Sequence, residues 1–312
     1  MIAGAHNSGL ESNGIDKMEE TMKSIGWIGT GVMGKSMCLR IISGGYKVRV
    51  YNRTREKADS LLHSGAQWCD SPSDLARGCN VVFTMVGYPE DVNEVILGEK
   101  GILLTLRKGA IIVDMTTSRP SLAEAIYKAA GDRGIESLDA PVSGGDIGAA
   151  EGTLAIMLGG NREAYEKVLP LLKLMGKNIS YMGRPGAGQH TKMCNQILIA
   201  STMIGVVESL LYARKSGLGM GEVIDVIGKG AAASWAINNM GRKIVENNFT
   251  PGFYIKHFVK DMRIALEESF RMKISLPGLS LANQFYIAAM AEKMENLGTQ
   301  ALFKVLDRMN NF

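Results

Sequence analysis

Between Ser24 and about Gly183 short apolar runs, SIGWIG, KVRVYN, VVFTMV, AIIVDM, ESLDAP, TLAIML and NISYMG, alternate with stretches in which apolar residues recur at helical spacing. Strands interleaved with crossover helices imply a mostly parallel sheet covered on both faces, a doubly wound α/β domain. After Gly188 the strand runs stop. Helical periodicity then predicts helices over Gln189–Gly217, Met220–Lys229, Ser234–Asn247, His257–Met272 and Leu279–Asn296, an all-α second half. Pro185, Gly186 and Gly188 mark the seam, so residues 23–185 and 186–312 are expected as separate domains, the second entered through a long helix. Residues 1–22 are read as a flexible extension, with neither the apolar core of a secretory signal nor the Arg-rich pattern of a transit peptide.

Composition narrows the function classes. At 312 residues the chain has the length of about two domains, and 46% hydrophobic against 21% charged residues excludes disorder as the main state. Lys plus Arg 35 against Asp plus Glu 31 gives a net charge of only +4, with no basic block, which argues against nucleic acid as a partner. Cys38, Cys69, Cys79 and Cys194 fit no metal-ligand spacing, so no metal site is expected and a reducing compartment, the cytoplasm, fits best. The longest nearly apolar run, Ile197–Val207, falls short of the roughly 20 residues of a membrane span, so no membrane partner is expected.

The first candidate site follows the first strand. Gly29-Thr-Gly31-Val32-Met33-Gly34 opens a helical stretch; Gly29 permits a tight turn, Gly31 close approach of a pyrophosphate to backbone, and Gly34 close packing. Amides at the helix start, those of Val32 and Met33 among them, then face the anion. Because strand, turn, helix and second strand come in order, the pattern predicts dinucleotide binding. Where an acidic residue would receive the ribose hydroxyls of NAD, the second strand ends in Asn52, followed by Arg53, Thr54 and Arg55. A guanidinium there can pair with a 2′-phosphate, which favours NADP with NAD as the alternative; solvated loop arginines are the plain reading. Loops after the third and fourth strands, Met85-Val86-Gly-Tyr-Pro89 and Asp114-Met-Thr-Thr117-Ser118, should border the cofactor. Thr117 either bonds ribose or nicotinamide, or caps the helix before Pro120.

Three further groups carry chemistry. Asp139-Ala-Pro-Val-Ser143-Gly144-Gly145 joins a hydroxyl to a glycine turn whose amides suit a substrate carboxylate, or it is a plain loop. Gln189, Lys192, Asn195 and Ile199 share one helix face. A lysine at the mouth of a buried helix is costly unless functional, and desolvation lowers its pKa toward the range of proton transfer; a snorkelling amine is the alternative. Lys260 and Asp261 form a charge pair at the start of a helix, and Trp235 among small residues either walls a pocket or joins a core.

Taken in order, GTGVMGKSM, NRT, DMTTS, DAPVSGGDIGA, GAGQHTKMCNQ and FTPGFYIKHFVKD resemble the β-hydroxyacid dehydrogenase family, over essentially everything from Lys23 onward. The resemblance implies a Rossmann domain followed by an all-helical domain. It implies that Lys192 is the catalytic lysine, that Ser143, Gly144 and Asn195 bind substrate, and that Thr117 and Lys260 contact the cofactor. It further implies a small carboxylate-bearing substrate and a homodimer or homotetramer. Asn52-Arg53-Thr54 is similar to the NADP-preferring members. The resemblance also implies two rival enzymes: an imine reductase, which would share the architecture without depending on a lysine at this helix position and is argued against by Lys192 and Asn195, and phosphogluconate dehydrogenase, for which the helical half here is too short. A non-catalytic dinucleotide sensor is the rival from another class.

Overall fold

The computed structural model describes residues 24–311; the expected extension over 1–22 lies outside them. The strands are β1 Ser24–Ile28, β2 Lys47–Tyr51, β3 Gln67–Trp68, β4 Val81–Thr84, β5 Ile111–Asp114, β6 Glu136–Asp139, β7 Val142–Ser143, β8 Leu154–Gly160 and β9 Gly176–Gly183. They form one sheet in the order β3-β2-β1-β4-β5-β6-β8-β7, with β9 on the free side of β8. Pairing is parallel from β3 through β6. Beyond β6 the expectation of parallel strands gives way: β6 and β7 both run antiparallel to β8, and β9 parallel to it. Two-residue β3 and β7 are too short to show a period-2 signal, which is why only the seven longer strands are legible as apolar runs.

Both faces of the sheet are covered, because alternate residues of each central strand enter different cores. Ile25, Trp27, Val81, Phe83 and Val113 pack on one side with Met37 and Ile41 of helix α1 (Val32–Ser43). On the other side Ile28, Val82 and Ile112 pack with Leu75 of α3 (Pro72–Ala76), Ile96 of α4 (Pro89–Leu97) and Ile126 of α5 (Pro120–Gly131). The remaining crossovers are α2 (Asp59–His63), α6 (Gly145–Glu151) and α7 (Arg162–Leu172). Trp27 and Phe83 stack with ring centroids 5.3 Å apart.

The chain divides into two compact units, one ending at His190 and the other beginning at Thr191, so the boundary falls within α8 (Ala187–Lys215). The second unit is helical: the rest of α8, α9 (Met220–Ile227), α10 (Arg242–Val245), α11 (Ile255–Met272), α12 (Pro277–Ala291) and α13 (Leu302–Met309). Its core joins Met203, Val207 and Leu210 of α8 to Phe258 and Met262 of α11 and Tyr286 of α12. At 29 residues α8 is long and apolar enough to cross a bilayer, more than the run Ile197–Val207 suggested; those core side chains show where its apolar surface goes. Two helix expectations are corrected. Ser234–Asn247 is a wide π turn over Ala236–Gly241 followed by α10, with Asn239 Nδ2 donating to the Trp235 carbonyl and Asn238 Nδ2 to that of Gly228. Such side-chain bonds compete with regular helix. The helix read as Leu279–Asn296 starts at Pro277 and stops at Ala291, and Lys293 adopts φ +61° soon after. All four cysteines are free; Cys38, Cys69 and Cys79 are buried, and Cys194 is exposed.

Candidate active site

In the sheet unit the glycine loop after β1 is shaped by backbone contacts. Gly29 has φ +96°, and a Cβ there would run into the Met85 carbonyl; a Cβ on Gly34 would run into the carbonyl of Gly29. Only glycine allows both approaches. Gly31 differs: a Cβ there would meet nothing within 4 Å. It caps α1 without any side-chain hydrogen bond, so the first amides of the helix, those of Val32, Met33 and Gly34, are left to an external acceptor. The Thr30 hydroxyl is buried and has no hydrogen-bond partner.

Asn52 ties this loop to the next. Its Oδ1 accepts from the Thr30 amide at 3.0 Å and its Nδ2 donates to the Thr54 carbonyl at 2.8 Å. Arg53 projects outward, its side chain 87% exposed, with Nη1 3.4 Å from Asp91 Oδ1; Arg55 lies over the Trp68 ring, 5.2 Å from its centroid. Among the described residues, Asp91 at the start of α4 is thus the acid nearest the Arg53 guanidinium in the ion pairs found.

The loop after β5 is held by a buried polar network. Asp114 Oδ1 accepts from the Thr84 hydroxyl at 2.7 Å and the Thr116 amide at 3.1 Å, and the Thr116 hydroxyl accepts from the Val86 amide at 3.0 Å. Burial pushes the Asp114 carboxyl up to about 6 against those hydrogen bonds. Thr117, between buried Thr116 and Ser118, is half-exposed. Ser143 ends β7, half-buried, and Gly144 (φ +131°) and Gly145 (φ +64°) turn the chain into α6 with backbone that L side chains rarely adopt.

In the helical unit Lys192 is buried on α8 and faces α11 electrostatically. Burial pushes its amine down to about 8; the Asp261 carboxylate opposes that shift and the Lys260 ammonium adds to it. Lys260 Nζ lies 3.2 Å from Asp261 Oδ1, while Asp261 Oδ2 accepts from Gln196 Nε2 at 2.6 Å, whose Oε1 in turn accepts from Asn195 Nδ2 at 2.7 Å. The result is a polar row, buried at Lys192, Gln196 and Asp261, in which the Lys260 ammonium lies at contact distance from the one carboxylate while the Lys192 amine titrates near 8. His257, one turn before Lys260, is pushed down to about 4 by burial and by the Lys260 charge, so its ring is neutral at pH 7. Trp235 is 68% exposed and takes no part in the core.

Residues 24–183 match the family described as the NAD binding domain of 6-phosphogluconate dehydrogenase. Residues 186–306 match the family described as NAD-binding of NADP-dependent 3-hydroxyisobutyrate dehydrogenase. The chain is 54% identical over 283 residues to "Uncharacterized oxidoreductase YkwC" of Bacillus subtilis (strain 168), covering 91% of this chain and 98% of that protein. It is 52% identical over 288 residues to "Probable 3-hydroxyisobutyrate dehydrogenase-like 1, mitochondrial" of Arabidopsis thaliana, covering 92% and 86%. Among solved structures, that of Mycobacterium tuberculosis 3-hydroxyisobutyrate dehydrogenase with L-serine superposes with a TM-score of 0.84 at 29% identity, covering 91% of this chain and 99% of that one.

The chain belongs to the β-hydroxyacid dehydrogenase family. It is an oxidoreductase of the NAD(P)-dependent kind that acts on CH–OH groups. The glycine loop fits a nicotinamide dinucleotide on its own terms: free space over Gly31, an uncapped helix start and the orphaned Thr30 hydroxyl suit a pyrophosphate. For a β-hydroxyacid dehydrogenase the two-unit chain separates its candidates cleanly. Gly29, Gly31, Val32, Met33, Gly34, Asn52, Arg53, Thr54, Val86, Thr117, Ser143, Gly144 and Gly145 lie in the sheet unit; Lys192, Asn195, Trp235 and Lys260 lie in the helical one. Sequence reasoning gave no role to Thr30, Asp114, Asp139 or Gln196, placed Gln189 on the helix face of Lys192 without a role of its own, and read Asp261 only as half of a helix-start pair. The pairing of Gln189 with residues 71 and 73 positions away leaves no local signal.

Proposed function

We propose that this dehydrogenase interconverts a small β-hydroxyacid and its aldehyde or keto acid, prefers NADP(H), and uses Lys192 as the proton carrier. The bound nicotinamide supplies or accepts the hydride. Ser143, Gly144 and Gly145 receive the substrate carboxylate through a hydroxyl and backbone amides. The neutral Lys192 amine takes the hydroxyl proton in oxidation; its ammonium returns that proton to the carbonyl oxygen in reduction and offsets the charge growing there. Asn195, a turn along α8, holds the same oxygen or keeps the lysine aligned.

The observation that carries this reading is the state of Lys192: a buried amine whose pKa of about 8 lets it both give and take a proton near neutrality. The NADP preference is supported by Asn52, which brings no carboxylate to the 2′ position, and by the outward Arg53 beside it. The test is NADPH and NADH oxidation against glyoxylate, succinic semialdehyde, tartronate semialdehyde and methylmalonate semialdehyde. At least one should be reduced, faster with NADPH. Lys192→Ala should lose about 10²-fold or more of that turnover while still binding NADP+. Parent-like turnover in the variant rejects the lysine, and NADPH binding without consumption across wider aldehyde acids rejects the enzyme in favour of a sensor.

A further inference from the structure

Gln189 is fully buried, yet none of the roles above uses it. Its carboxamide makes two hydrogen bonds to the loop after β5: Nε2 donates to the Thr116 carbonyl at 2.8 Å, and Oε1 accepts from the Ser118 amide at 2.9 Å. The side chain thus offers the donor and acceptor that a neighbouring strand would offer, to the residues on either side of Thr117, Thr116 and Ser118, which precede Gln189 by 73 and 71 residues. Gln189 is itself fixed. Its amide donates to Asp139 Oδ2 and that of Gly186 to Asp139 Oδ1, both at 2.8 Å. Gly188 lies so close to the Met157 and Asp139 carbonyls that no Cβ has room. On the far side of the loop Asp114 and the Val86 amide hold Thr116. Every hydrogen bond in this set belongs to the sheet unit.

We infer that Gln189 is a positioning residue for the nicotinamide half of the cofactor: by gripping the backbone before and after Thr117 it fixes how that residue's hydroxyl is presented. The inference rests on Thr117 as a cofactor contact. A loop already ordered before binding does not draw its ordering entropy from the binding energy, and a carboxamide carries a donor and an acceptor side by side at every ordinary pH, the pair that a buried carbonyl and a buried amide require. The adenosine half is held by the glycine loop and the Asn52–Arg55 segment, which Gln189 does not touch. Loss of the grip therefore acts on one end of the ligand.

The experiment compares dissociation constants of NADP+ and 2′-phospho-ADP-ribose, which lacks nicotinamide, for the full-length parent, Gln189→Met and Thr117→Val, with NAD+ and ADP-ribose as a second pair. In Gln189→Met the nicotinamide-free ligands should bind within about twofold of the parent while the dinucleotides weaken roughly tenfold. In the cofactor-free protein the Ser118 amide should exchange with solvent at least about tenfold faster. Gln189→Glu keeps the acceptor but turns a carboxylate toward the Thr116 carbonyl, so its binding ratio should return toward the parent's as the pH falls and the carboxyl regains a proton to donate. That variant carries the test if Gln189→Met does not fold. An unchanged ratio in Thr117→Val removes Thr117 from the cofactor site and the inference with it. A ratio lost in Thr117→Val but kept in Gln189→Met overturns the grip alone.

Discussion

The two units carry their chemistry in opposite ways. In the sheet unit the groups proposed to meet a ligand are mostly backbone: amides at the start of α1, which no capping side chain covers, and the glycine turn at Gly144 and Gly145. In the helical unit they are charged side chains, Lys192 and Asp261 buried and Lys260 nearly so. A backbone site is specified by steric permission, and a side-chain site by desolvation. The first should fail abruptly when a methyl group is added; the second should respond gradually, through titration, when a charge is altered.

The largest expected effect tests the steric half. In Gly29→Ala the new methyl group meets the Met85 carbonyl at a φ of +96°, so the loop must move. NADP+ affinity measured by calorimetry should fall by about 100-fold or more, since the displacement and the strained φ together cost roughly 3 kcal/mol. Next in size is a desolvated charge misplaced in the sheet unit. Asp114 has its pKa raised to about 6 in the fold, above the ordinary carboxylate value, so the stability linked to its protonated form is present at low pH and is lost as the pH climbs from about 4 through 6. Asp114→Asn does not titrate; relative to the parent, its unfolding free energy from urea titration should improve between pH 4 and pH 7, by an amount on the order of 2 kcal/mol. A constant difference across that range would mean the carboxylate is ionised throughout.

Smaller still is the exposed arginine. Arg53→Ala should raise the Michaelis constant for NADPH by about tenfold, the size of one charge-assisted contact in partial solvent, and leave that for NADH within twofold. Equal rises would reject the 2′-phosphate assignment. The mildest change is Asp261→Asn. The Asp261 carboxylate holds the Lys192 pKa up against burial, so neutralising it should move the rising limb of the oxidation rate, expected near pH 8 in the parent, to lower pH by up to about one unit. A limb that stays in place would show that another group sets it.

What was legible in the sequence follows the same division. Gly29, Gly31 and Gly34 are readable because their fixed spacing falls in one short turn between a strand and a helix, although the Met85 carbonyl that confines Gly29 is far along the chain, and the longer strands because buried strands need apolar runs. Lys192 is readable because a charge stands out in an apolar helix. Asn52 is readable by position, but not its bonds to Thr30 and Thr54, which join two loops. Gln189 is readable as a member of the Lys192 helix face, but its partners, and the role of Asp139, are silent because bonds to distant backbone leave no periodicity. The antiparallel turn of the sheet at β8 is hidden for another reason: strand direction is set by the path of the connection, and β7 is only two residues long.

The cysteines leave a practical legacy. Three thiols are sealed inside the sheet unit with their ionisation suppressed by burial, whereas Cys194 stands open to solvent two residues past Lys192 on the same helix. A maleimide dye added to the native protein therefore attaches at a single place, and nature has already installed a labelling handle for watching the lysine helix by fluorescence.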